Sequence, residues 1–432
     1  MNEQWLQRAL IVRRSWLLGV LLAALTVAPW VQAQVLPRAQ PESVGMSSER
    51  LQRLTRVLNA YVADGKLPGG VALVARLGKV AYLQSFGQRD REAASPMPED
   101  AIFRIASQSK ALLSAGVMIL QEEGQLVISD PVGKYLPEFM ETTVAERKGE
   151  SYEVVKAKRR ITIRDLLTHT AGIGYGGGPA RDRWEAAGIS GWYFADRDEP
   201  VGATVSRLAK LPFDAQPGER FVYGYNTDIL GALIEQVSGE TLDAFLRTRV
   251  LEPLAMNDTH FYLPASKKNR LTVVYSSKDA GGIERAPDPG HMVGQGAYVE
   301  GPRKSFSGGA GLLSTASDYA RFLQMMLNGG ELEGKRLLSP KTVELMTVDH
   351  VGDLSTTPGQ GFGLGFSVLK DLGARGSSGS VGEFGWGGAY HSTYWVDPRE
   401  GLVVVYFTQL IPAKNVDDHE KLRALVYQAL VE

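Results

Sequence analysis

Ser107-Gln108-Ser109-Lys110 sets a hydroxyl and an amine three residues apart at the start of a strongly apolar run, 107–123. Residues three apart on a helix share a face, so Lys110 can bring its amine beside the Ser107 hydroxyl. A serine hydroxyl is a weak nucleophile near neutrality and needs an adjacent base. Lysine serves as that base only when partly neutral, which requires burial or a neighbouring cation. The apolar residues around Lys110 are compatible with that. A helix N-terminus at Ser107 would add N–H groups suited to a developing oxyanion. The competing reading is a helix-capping serine followed by a solvated lysine. A second match, Ser367-Val368-Leu369-Lys370, fails on geometry. It lies in a strand-like stretch, where residues three apart point to opposite faces.

Other chemistries fare worse. The chain has no cysteine, which removes thiolate nucleophiles, disulfides and cysteine-held zinc. No Gly-x-Ser-x-Gly elbow and no His-Glu-x-x-His occurs. The six histidines, at 169, 260, 291, 350, 391 and 419, show no metal-ligand spacing. His391 follows a glycine-rich strand edge and is read as structural, with a cleft-lining place as the alternative. No metal or cofactor is expected, and EDTA should leave activity unchanged.

The elements that must position these residues follow from periodicity. Leu51, Leu54, Val57, Leu58 and Tyr61 predict a serine-capped helix over 47–63. Val71–Ala75 and Val80–Phe86 read as strands joined at Gly78-Lys79, and 107–123 as a buried helix closed by Gly124. Helices are expected at 162–168, 203–210, 227–237 and 241–249. Between them, 173–200 reads as a loop rich in glycine and carrying Trp184, Trp192, Tyr193 and Phe194. Those aromatics either line a cleft or pack as a satellite cluster. Strands return at Gly361–Leu369, Gly382–Gly387, His391–Val396 and Leu402–Phe407, before a last helix from about Asp417 to Leu430. Strands at both ends with helices between them predict an α+β fold: one sheet from both chain ends and an inserted helical lobe, about 125–300.

The first 33 residues stand apart. Arg8, Arg13 and Arg14 precede an uncharged run from Trp16 to Trp30, and Val31-Gln32-Ala33 supplies a small-residue cleavage site. The pattern predicts a secretory signal peptide cut after Ala33, with export to the periplasm or medium and a mature domain over 34–432. An uncleaved anchor is the alternative. The net charge is −1 over 432 residues, and loss of three arginines and one glutamate with the leader leaves −3. Neither value suggests nucleic acid as a partner, and no other stretch is apolar enough to span a bilayer. Oligomeric state has no signature in the sequence.

Phe103-Arg104-Ile105-Ala106-Ser107-Gln108-Ser109-Lys110 resembles the nucleophile motif of class C β-lactamases, penicillin-binding proteins and family VIII carboxylesterases. Further stretches resemble that family in order: Leu166–Gly172, Phe221–Gly231 around a tyrosine, Gly308–Leu312 with Ser314-Thr315, and Phe384–Ala389 in its esterase form. The resemblance covers about 40–432. It implies the β-lactamase/D,D-peptidase-like fold: an antiparallel sheet flanked by helices, a mainly helical lobe, and the site between them. It implies Ser107 as the acylated nucleophile, Lys110 as its activating partner and Tyr223 as the proton carrier. The N–H groups of Ser107 and Ala389 would form the oxyanion hole, and Gln108 would lie near the acyl carbonyl.

Two departures bear on substrate. The tyrosine motif reads Tyr223-Gly224-Tyr225, so Asn226 comes one place late. The spacing to Leu230-Gly231 favours Tyr223 over Tyr225 as the proton carrier, and Tyr225 and Asn226 stand as substrate-binding candidates. The third motif carries Trp386-Gly387-Gly388 where β-lactamases and peptidases usually carry a lysine or histidine. The glycines let substrate approach the strand edge. An indole offers one N–H and no charge, which shifts expectation from anionic β-lactams towards small neutral esters or amides. The leading expectation is therefore an acyl-enzyme carboxylesterase on Ser107. A β-lactamase or D,D-peptidase is the alternative, with an acyltransferase or oligo-amide hydrolase as a variant, and a non-catalytic scaffold stands as the reading from another class.

Overall fold

The computed structural model describes residues 35–432. The expected signal peptide lies outside the described residues. An eight-stranded sheet organises the molecule. In chain order its strands are β1 (Gly69–Arg76), β2 (Lys79–Asp90), β3 (Ser95–Pro96), β4 (Gln360–Phe362), β5 (Ser367–Leu369), β6 (Phe384–Gly388), β7 (Ser392–Asp397) and β8 (Leu402–Thr408). Their spatial order is β4-β5-β6-β7-β8-β1-β2-β3, every pair antiparallel. Strand β1, from the first quarter of the chain, is therefore zipped to β8 near its end, with Val74 opposite Val404.

Every residue of β1 and β8 is buried, so both strands face apolar layers on their two sides. The two-residue side-chain period sorts them. Val71, Leu73 and Ala75, with Val403, Val405 and Phe407, belong to the large core shared with the helices. Ala72 and Val74, with Val404 and Tyr406, belong to the layer under the terminal helices. Those are α1 (Ser48–Ala63), capped by the Ser47 hydroxyl accepting the Arg50 N–H, and α11 (Asp418–Tyr427).

On the other face lies α2 (Ser109–Glu122), buried from Ser109 to Leu120. Burying a leucine side chain contributes about 1.5–3 kcal/mol. Leu112, Leu113 and Leu120 thus anchor a helix that also carries a buried lysine. Further helices are α3 (Ile163–Leu167), α4 (Arg181–Ala186), α5 (Val201–Leu208), α6 (Asn226–Ser238) and α7 (Leu242–Leu246), which runs on into one π-helical turn. A small hairpin, Thr143–Lys148 with Ser151–Lys156, accompanies them. After them come α8 (Ala316–Leu327), α9 (Pro340–Met346) and α10 (Leu372–Arg375). Thr162 starts α3 through a reciprocal capping box with Asp165. Among the described residues no helix is long and apolar enough to cross a membrane.

The architecture is α+β, with the sheet assembled from both chain ends. Three local expectations change. The stretch 361–369 is a hairpin of two short strands rather than one strand, because Gly365 turns the chain at φ +95°. The loop 173–200 contains α4. The α-helix expected from residue 107 begins two residues later, at Ser109, and Ser107 sits in a 3-10 turn ahead of it.

Candidate active site

The segment before Ser107 is held from both sides. Phe103 and Arg104 pair with Ser314 and Leu313, and the Ile105 N–H donates to the Leu312 carbonyl at 3.1 Å. The chain then turns sharply through Ala106, which takes the left-handed conformation at φ +44°. Side chains with a Cβ resist that region, and such strain gathers at functional sites. It lifts Ser107 out of the line of α2 at the mouth of a cleft of about 600 Å³.

One turn on, Lys110 is 2% exposed. Its ammonium donates to the Ser107 hydroxyl oxygen at 3.3 Å, the Tyr175 phenol oxygen at 3.2 Å and the Gly309 carbonyl at 2.7 Å. It also lies 4.6 Å from the centroid of the Tyr223 ring. Burial alone would push its pKa down. The oxygens of Tyr175 and Tyr223 and the Asp228 carboxyl outweigh burial and hold it above the ordinary lysine range. The expectation of a partly neutral amine is therefore corrected: Lys110 rests as a cation. Burial raises the Tyr175 phenol as well.

Tyr223 is placed by the strand and loop it touches. Gly224, next to it, packs so closely on the Ile173 carbonyl that a Cβ there would approach to 2.3 Å. The Val222 N–H donates to the His169 carbonyl at 2.8 Å. From β6 the Trp386 indole N–H donates to the Tyr223 hydroxyl at 2.9 Å, ring against ring at 5.4 Å. His169 lies 4.5 Å from the Tyr223 ring. Its Nδ1 takes the Asn226 amide N–H at 2.9 Å, and burial followed by the nearby Lys110 charge keeps it neutral.

Gly388 explains how the strand edge comes up against the chain at Ser107. A Cβ there would come within 2.5 Å of the Ile105 carbonyl, so glycine is needed for β6 to abut the chain just before Ser107, independently of any substrate. Ser107, Tyr175, Tyr223, Trp386, Gly387, Gly388 and Ala389 share the cleft wall.

Three residues expected near substrate lie elsewhere. Tyr225 is fully buried, stacks on Trp184 at 5.9 Å and donates its hydroxyl to the Gly191 carbonyl. Asn226 is buried, its amide spent on His169 and the carbonyls of Ile173 and Val222. Gln108 is also buried, donating to the Ser392 hydroxyl at 3.0 Å. All three brace the site from behind. Of the four aromatics singled out in 173–200, Trp192 lines the cleft, whereas Trp184, Tyr193 and Phe194 are buried.

The sequence reading missed Tyr175 and Asp228. Tyr175 is the lone aromatic in a run of glycines, a composition with no periodicity to orient it. Asp228 accepts from the Ser307 hydroxyl at 2.6 Å and the Gly309 N–H at 3.1 Å, which aims the Gly309 carbonyl at Lys110. In the second Ser-x-x-Lys match, Ser367 donates to the Gly385 carbonyl and Lys370 pairs with Asp349, so the two do not meet.

The Beta-lactamase family model matches residues 54–428. Esterase EstB of Burkholderia gladioli is 34% identical over 370-odd residues, covering 82% of this chain and 89% of its own. Protein Rv1367c of Mycobacterium tuberculosis is 33% identical, covering 82% and 88%. Among solved structures, EstCE1, described as a hydrolase with promiscuous acyltransferase activity, superposes with a TM-score of 0.77 at 29% identity, covering 88% and 98%.

Proposed function

Because the chain belongs to the Beta-lactamase family, we propose that it is an exported carboxylesterase that cleaves small neutral esters through an acyl-enzyme on Ser107. The observation that carries this reading is the pair of contacts at the nucleophile. Lys110 donates to Ser107, and Trp386, not a lysine, donates to Tyr223. Likeness to an esterase and to a hydrolase with acyltransferase activity supports it.

In acylation the Ser107 oxygen bonds to the ester carbonyl carbon. Its proton passes to the Tyr223 oxygen as Tyr223 hands its own hydroxyl proton to the ester's alcohol oxygen, and the Lys110 cation and the Trp386 N–H stabilise the charge that builds on the phenol oxygen during the relay. The tetrahedral oxyanion is taken by the N–H groups of Ser107 and Ala389. Collapse breaks the bond to the alcohol oxygen, which leaves with the proton from Tyr223. Water then repeats the sequence in reverse, restoring Ser107 and releasing the acid. Lys110 keeps its proton throughout and acts as an electrostatic partner. Among the described residues that line this cleft none is a lysine or arginine that could hold a substrate carboxylate, which favours neutral esters over anionic β-lactams.

The test is intact-protein mass spectrometry after brief exposure to p-nitrophenyl butyrate or benzylpenicillin, with wild type and Ser107→Ala. An acyl adduct from the ester in wild type only, with p-nitrophenol turnover lost in the variant, is expected. Unchanged turnover in Ser107→Ala would remove the central claim. Rapid, transient penicillin acylation would move the protein to the β-lactamase or D,D-peptidase reading.

A further inference from the structure

The cleft extends past the oxyanion corner. Beyond Ala389 its wall is made by His391, Ala413 and His419. His391 closes the turn between β6 and β7, donating its N–H to the Gly388 carbonyl at 3.1 Å from a left-handed conformation at φ +60°. Trp386, before Ala389 in the chain, faces Tyr223 and hence the leaving alcohol. With Tyr223 read as the proton donor to the alcohol, His391, at the opposite end of this strand edge from Trp386, is inferred to face the acyl group.

Its ring is oriented from behind. Nε2 of His391 lies 2.6 Å from a carboxylate oxygen of Asp418, whose other oxygen accepts from the Tyr406 hydroxyl at 2.7 Å. The Asp418 side chain is wholly buried. A carboxylate there draws an imidazole proton to Nε2 and leaves Nδ1 as the ring nitrogen free to meet a ligand. His419 stacks on His391, centroids 4.1 Å apart and planes 15° apart. Burial pushes its pKa down to about 4, while the His391 carbonyl draws a proton to the ring nitrogen facing it. The remaining Nε2 is buried and meets no partner. Two stacked imidazoles thus stand at this end of the cleft, and Nδ1 of His391 is engaged by no hydrogen bond among the described residues.

His391, Asp418 and His419 also have a metal-like donor set. The stacking argues against chelation, since a metal lies in the plane of each imidazole that binds it and two nearly parallel planes side by side share no such point. A carboxylate ligand would face the buried Asp418 charge. A hydroxyl fits, because it donates to an imidazole nitrogen at no charge cost.

We propose that His391, oriented by Asp418 and backed by His419, forms an acyl-side subsite that selects esters whose acyl chain carries a hydroxyl. This rests on the esterase reading above and specifies its substrate class.

The test uses ethyl esters in matched pairs, followed by pH-stat: lactate with propionate, 3-hydroxybutyrate with butyrate, 6-hydroxyhexanoate with hexanoate. Each kcat/KM is divided by the rate constant for hydroxide hydrolysis of the same ester, which removes intrinsic reactivity. Wild type is expected to favour the hydroxylated member at least tenfold at one chain length. His391→Gly, which suits the positive φ, and Asp418→Asn should bring that ratio to within twofold of one. A ratio near one at every length in wild type overturns the subsite, as does a preference surviving in His391→Gly. So does an equal loss on both members of a pair, the mark of structural damage alone. If the unsubstituted esters are hydrolysed, any such failure concerns the subsite alone. If none is hydrolysed and Ser107 takes no acyl group, the esterase reading fails and the subsite falls with it.

Discussion

Tyr175→Phe deletes one oxygen from the partners of Lys110 and keeps the ring. The ammonium now donates to three acceptors, Ser107, Tyr175 and Gly309. In the variant one buried N–H of a cation has no acceptor, at a cost of about 1–3 kcal/mol. Lys110 can relieve that cost by binding its proton less tightly. At about 1.4 kcal/mol per pKa unit, the same range corresponds to a fall of one to two units. If the cation stabilises the proton transfer at Ser107, the barrier rises by a similar amount, and kcat/KM falls by about ten- to a hundredfold. Stability carries an independent signature. The folded pKa of Lys110 lies above its ordinary 10.5, so its contribution is complete below that value and is lost as pH rises through the folded one. The melting-temperature gap between wild type and variant should therefore be open at pH 8 and narrow above pH 10.5. Stopped-flow release of p-nitrophenol gives the acylation rate, and thermal melts across pH give the gap. A variant that acylates within twofold of wild type with the same melting profile would refute the assignment of Lys110 as a charged partner held by Tyr175.

Further expectations concern neighbouring contacts. Gly388→Ala would push a Cβ within 2.5 Å of the Ile105 carbonyl; a loss of about 1–3 kcal/mol in urea melts, with slower acylation, is expected. Tyr225→Phe deletes the hydroxyl that donates to the Gly191 carbonyl and should cost about 1 kcal/mol of stability while leaving KM and kcat within a few-fold. Asp318, 3% exposed, is raised to about 7, by burial first and Asp258 among the other causes. Its folded pKa exceeds the unfolded one, so stability from this group is full below about pH 4 and falls as pH rises to 7, at up to about 1.4 kcal/mol per unit. Asp318→Asn should lack that decline, read as a variant that gains on wild type between pH 4.5 and 7.5 in chemical denaturation.

Ser107 and Lys110 were legible because their relation is local: three residues of a 3-10 turn running into α2 bring them together. The two sheet halves were legible from β-type runs at both ends. The charge state of Lys110 was not, because Tyr175, Asp228 and Gly309 come from three separate segments and their sum, not burial, decides it. Tyr225 and Asn226 misled for a related reason. They stand at the entry to α6, where each residue turns about 100° from the last, and both are swung into the core behind Tyr223. Gly365 was a single turn residue inside an otherwise strand-like stretch. His391 and the pair Asp418-His419 meet across the β7–β8 hairpin, a contact with no trace in sequence spacing.

The pairing of β1 with β8 has a consequence in time. Strand β1 leaves the ribosome more than three hundred residues before the partner that covers one of its edges. At about 5–20 residues per second, that edge waits on the order of twenty seconds to a minute. An uncovered apolar edge of this length invites pairing with other chains. The strand edge that abuts Ser107 arrives in the same late stretch, so a nascent chain holds Ser107 and Lys110 without the wall that Trp386–Ala389 supply, and the cleft is incomplete until synthesis is nearly finished. Until its last strand exists, such a chain is open to mispairing along that edge.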